Sequence, residues 1–71
     1  MSTQPIRLKV QIDCEEDGRW IAEVPDLPGV LAYGSSREEA FRAASVLAYR
    51  VYADRVEHHE AEPADISFAV A

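Results

Sequence analysis

From Ile6 to Cys14 the chain alternates apolar and polar residues without a miss: Ile6-Arg7-Leu8-Lys9-Val10-Gln11-Ile12-Asp13-Cys14. A period of two is the pattern of a strand with one face on a core and the other in water. Glu15-Glu16-Asp17-Gly18 follows, and its Asp-Gly pair predicts a turn, because glycine accepts a positive φ without steric cost. Arg19 to Val24 resumes the alternation, with Trp20, Ala22 and Val24 on one face and Ile21 and Glu23 on the other. Val30 to Tyr33 reads as a third short strand, ended by Gly34.

At Ser35 the period changes. Either Ser35 or Ser36 can cap a first helical turn, with Glu38 or Glu39 three residues on completing a capping box. Ala40, Ala44, Leu47, Val51 and Arg55 recur at helical spacing, Phe41, Ala48 and Tyr52 widen the stripe, and nothing breaks the helix before about Val56. A helix of ~20 residues is ~30 Å long, enough to cover a small sheet. Its acids Glu38 and Glu39 lie at the positive end of the dipole, and Arg50 and Arg55 near the negative end. Glu57 to Pro63 is polar and closes the helix, and Ile66, Phe68 and Val70 alternate again as a fourth strand. The order β-β-β-α-β predicts one α+β domain over residues 1–71. Its expected form is a three-stranded antiparallel sheet plus a C-terminal strand, with one long helix on one face.

A core in a chain of 71 residues is thin, and in so small a scaffold it supplies no more than ~3–5 kcal/mol. Cys14 is the only cysteine, so no disulfide forms within the chain. On the apolar face of its strand the thiol is expected to be inert. Self-association, as a homodimer or higher homo-oligomer, is therefore the expected staple, and it also covers exposed sheet edges. A lone thiol, a polar start in MSTQPIRLKV and the lack of any apolar run near ~20 residues predict a cytoplasmic, membrane-free protein.

Thirteen acids against seven basic residues give a formal charge of −6. Direct nucleic-acid binding is disfavoured, because phosphate contacts need clustered Lys and Arg. Such a charge suits a basic partner, or simply solubility. The densest acids, Asp13, Glu15, Glu16 and Asp17, crowd the first hairpin, where a solvated tip favours a partner surface over catalysis. His58 and His59 are adjacent, and neighbours on a helix point about 100° apart, so they cannot chelate one metal together. They are expected in a frayed helix end. The serines are used as caps, and Tyr33, Tyr49, Tyr52 and Trp20 lack the surrounding cations of a base-stacking platform. No catalytic residue, metal site or cofactor is predicted.

Between the second and third strands, Pro25 and Pro28 fix φ and remove two amide hydrogens, Asp26 favours a turn, and Gly29 can take a positive φ. Leu27 is held between the prolines. It is either a preset apolar contact for a partner or a side chain folded back onto the core.

Asp17-Gly18-x-Trp20-x-Ala22-x-Val24-Pro25-Asp26-Leu27-Pro28-Gly29, followed by Gly34-Ser35-x-x-Glu38-Glu39-Ala40, resembles the HicB-type antitoxin domain. The match spans about residues 6 to 56. The resemblance implies a partial ribonuclease-H-like fold and inhibition without catalysis: such domains bind a small basic toxin, HicA, that degrades messenger RNA. It marks Gly18, Trp20, Pro25, Pro28, Gly29, Gly34, Ser35 and Glu38 as structural. It does not identify toxin contacts. Charge and rigidity point to Asp13, Glu15, Glu16, Asp17, Asp26 and Leu27. Many members carry a DNA-binding domain after this unit; here the sequence ends at Ala71, so DNA binding is not carried over. The alternative is an orphan dimeric domain with a structural or regulatory role. Residual nuclease chemistry needs carboxylates converging on a divalent metal, and the elements that supply them in the full fold are not expected here.

Overall fold

In the computed structural model, which describes residues 4–71, the longest strand is β1 (Gln4–Cys14). Met1 to Thr3, the first part of the polar start considered above, lie outside the described residues. β2 (Trp20–Glu23) and β3 (Leu31–Gly34) follow, then the helix α1 (Arg37–Glu57) and β4 (Ala64–Val70). The sheet order is β3-β2-β1-β4. β1 pairs antiparallel with β2, and β2 antiparallel with β3. β4 pairs parallel with β1, from Gln4↔Ala64 to Val10↔Val70. The expected α+β class and element order are thus observed, with a mixed sheet. Its parallel pair follows from direction: two hairpins leave β3 running with β1, and α1 carries the chain back so that β4 runs the same way.

Alternation assigns the two faces. Leu8 and Val10 of β1 and Ala22 of β2 point to the helix and are buried, while Arg7, Lys9 and Gln11 are exposed on the open face. Val24, Leu27 and Val30 close the same core at the end of β2. From the helix come Ala40, Ala44 and Ala48, each fully buried. The larger Leu47 and Val51, expected in the centre of the stripe, pack at its margin. Phe41 and Tyr49 make edge-to-face contacts with Phe68, at 6.2 and 5.3 Å between ring centroids, and tie β4 to the helix. No helix among the described residues is long and apolar enough to cross a membrane.

Both helix ends are built by hydrogen bonds. Ser36 is the N-cap, its Oγ accepting the Glu39 N–H at 3.1 Å. The Glu39 carboxylate accepts in return from the Ser35 N–H (3.1 Å) and Ser35 Oγ (2.9 Å). The expected capping box forms only in part: Ser36 caps Glu39, but the return bonds of Glu39 go to Ser35, one residue before the N-cap, and Glu38 takes no part in them. At the other end the His59 N–H donates to Val56 O and the Glu60 N–H to Arg55 O, with His59 at φ 61°. This is the paired closure of a Schellman motif, and the end expected to be frayed is closed. The Tyr52 hydroxyl donates to the Glu62 carbonyl and fastens the turn that follows.

Gly34 ends β3 under the first helical turn. A Cβ there would lie 2.4 Å from the Ala40 nitrogen and 2.9 Å from its Cα. Gly34→Ala is therefore expected to cost about 2–3 kcal/mol, read as a lower urea midpoint, because backbone cannot give way as a flexible side chain can. The bonds from Ser35 hold the Glu39 carboxyl below its ordinary value. That contribution is present above the usual glutamate pKa of about 4.3 and is lost as pH falls through the lowered folded value. Glu39→Gln should flatten the dependence of the melting temperature on pH in this acid range while leaving the neutral structure intact.

Candidate protein-binding site

The β1–β2 hairpin is closed by two backbone bonds, Glu15 N–H to Arg19 O at 2.7 Å and Gly18 N–H to Glu15 O at 3.0 Å. Gly18 sits at φ 90°, the left-handed conformation that lets a three-residue loop return the chain. The expected Asp-Gly turn is present. Asp17 Oδ1 accepts the Arg19 N–H at 3.1 Å, and Arg19 Nε lies 2.9 Å from Asp17 Oδ2. The same guanidinium reaches Glu15 at 3.5 Å and stacks 4.7 Å above the Tyr33 ring. Arg19 is thus a local counterion for two of the four hairpin acids. These pairs are exposed and contribute little to stability, ~0–1 kcal/mol each. Their effect is on charge: Asp13 and Glu16 remain exposed, and no cation lies within ion-pair distance of either among the described residues.

The Pro25–Gly29 loop lies at the other end of β2. The four strand residues Trp20–Glu23 separate it from the hairpin, so Asp26 and the hairpin acids stand at opposite ends of β2. Leu27 is 4% exposed and belongs to the core beside Val24 and Val30. Its N–H donates to Val24 O at 3.0 Å, its carbonyl accepts the Val30 N–H at 3.1 Å, and Gly29 takes φ 88° to turn the chain between them. Leu27 is therefore no candidate for a partner contact, and of its two readings the one in which it folds back onto the core is observed. Asp26 is exposed.

Cys14 also departs from expectation. It is exposed: in the row Cys14, Trp20, Gly34 the helix packs on Gly34 at the β3 side and leaves the β1 end of the row uncovered. His58 Nδ1 lies 2.8 Å from the Asp54 carbonyl and 3.4 Å from Asp54 Oδ1. Asp54, Glu57 and His58 bring one donor atom each within 4.8 Å on the exposed helix end. Sequence reasoning tested the neighbours His58 and His59 and overlooked this i, i+3, i+4 trio, which is the set on that turn able to share a cation.

A groove of about 490 Å³ was also missed. It runs between α1 and β4, walled by Ile12, Phe41, Tyr49, Phe68 and Val70, with Arg37 and Arg42 on its rim. Its signal lies in Phe41, Ser45 and Tyr49, spaced four apart on a second helix stripe beside the alanines.

The positions of the two loop residues separate their roles. Leu27→Ala should cost ~2–4 kcal/mol by urea denaturation, as for other buried leucines. Asp26→Ala should stay within ~0.5 kcal/mol of the parent. In comparisons with protein-family models, curated proteins and solved structures, the chain matches none.

Proposed function

We propose that this chain is a HicB-like antitoxin module, which neutralises a HicA-type messenger-RNA-degrading ribonuclease in the cytoplasm by binding it. The resemblance in the ordered motif supports this reading, and so does the element order with β4 beside and parallel to β1, which suits a partial ribonuclease-H-like unit. The observation that carries it is the hairpin tip. Asp13 at the end of β1 and Glu16 on the preformed turn that follows stand exposed and uncompensated in a chain with a net charge of −6.

An RNA-cleaving protein needs a positive cleft to hold phosphates, and that cleft attracts carboxylates through the same field. A rigid acidic tip then competes with RNA for the cleft. No bond is made or broken, and no cofactor is required. Charge of this kind acts mainly on the association rate, which falls as salt rises. Direct binding of nucleic acid by the module itself is not part of the reading.

The test looks for a small basic reading frame beside the gene, whose absence favours the orphan domain, and mixes its product with the purified chain. The chain should form a complex with that protein and suppress its RNA cleavage. Asp13→Lys with Glu16→Lys should weaken the complex by about tenfold or more, chiefly in the association rate. A chain that forms no complex and does not relieve toxicity overturns the reading and leaves the orphan structural or regulatory domain.

A further inference from the structure

We infer that the free edge of β4 is a self-association site, on which a second copy of this chain pairs its own β4 antiparallel to form a two-fold dimer. This inference does not depend on a toxin and holds for the orphan domain as well.

Among the described residues β4 is the last strand of the sheet, and one of its sides has no neighbour. The edge is seven residues long, Ala64–Val70, with no proline or lysine within it and Asp65 as its one charge. Such an edge is a template for another strand, and proteins normally blunt one that is not used. The opposite edge, β3, has four residues and offers far less pairing. The Ala71 N–H donates to Val10 O at 2.9 Å, so backbone alternation turns the amide and carbonyl groups of Ala64, Ile66, Phe68 and Val70 outward. An antiparallel pairing centred on Ser67 satisfies this whole row, Ala64 against Val70 and Ile66 against Phe68.

Side chains and charge select the same arrangement. Ile66, Phe68 and Val70 lie on the helix face of the sheet, and Val70 and Tyr49 are 42% and 49% exposed beside the groove. Pairing sets the apolar rows of the two copies side by side. β4 runs antiparallel to α1, so Arg37 and Arg42, against the one acid Glu38, leave the Val70 end of the edge net basic, while Glu60 and Glu62 sit at the Ala64 end. Among the described residues none of these five charges has an ion-pair partner within the chain. Antiparallel pairing brings the basic end of each copy to the acidic end of the other, whereas parallel pairing sets like charges together. The two-fold contact uses the same edge on both copies and stops at two.

Light scattering after size exclusion should give twice the chain mass of 7.9 kDa. Val70→Lys, which puts a charge on the apolar row at an already exposed position, should yield a monomer with an unchanged circular dichroism spectrum. Ser67→Cys in a Cys14→Ser background gives an independent readout. At the two-fold axis the two Cα atoms lie about 4.5 Å apart, within disulfide range, so mild oxidation should convert the chain to a covalent dimer. A monomeric parent chain, a dimer that Val70→Lys leaves intact, or a folded Ser67→Cys chain that does not cross-link overturns the inference.

Discussion

The close approach of α1 to the sheet governs this structure. Gly34 has no side chain because the backbone of Ala40 occupies that space, and Ala40, Ala44 and Ala48 continue the seam with nothing larger than a methyl group. A larger residue at any of the four lifts the helix and opens the core beneath it. The seam also fixes the cap: the chain leaves Gly34 and must begin its helix at once, and Ser35, Ser36 and Glu39 bond one another within that space. Alanine suits the seam twice over, since it has the highest helix propensity and the smallest Cβ group that still packs.

A narrow seam gives close contact but little breadth. The fully buried side chains of any size are Val10, Val24 and Val30, and Leu27 closes the end of the core from the loop. The proline-bounded loop therefore acts as a plug. Its two prolines and Gly29 hold Leu27 inward, and this accounts for so conspicuous a segment without any partner. The exposed acids are at the far end of β2, where a hairpin free of packing duties can carry them.

How far the sequence can be read follows from the range of the interactions. The period of two in Ile6–Cys14, the turn at Gly18 and the change of period at Ser35 are local, and each is present in the fold. The parallel placement of β4 depends on the direction in which the helix returns the chain, and no residue of β4 encodes it alone. Cys14 keeps perfect alternation and is still exposed, since alternation says which face a residue takes and not how far the helix covers that face. Leu27 was ambiguous for a similar reason: two prolines fix the loop's rigidity, but whether its side chain points in or out depends on the hole between Val24 and Val30. The groove was hidden because Phe41 and Tyr49 share a helix with the alanines. A stripe read as one broad apolar face is two, one on the sheet and one over β4.

This division of the helix connects the seam to self-association. The alanines draw α1 over β3, β2 and β1, and it meets β4 at its margin, where the rings of Phe41 and Tyr49 contact Phe68. The margin by β4 is consequently left with a groove, exposed apolar side chains and an unpaired backbone edge, all on one side of the molecule. A helix set further from the sheet by larger residues could shield that margin but would no longer pack over Gly34. The close seam and the open edge thus have a common origin: the small residues that bring α1 down on β3 and β2 also leave the β4 margin uncovered.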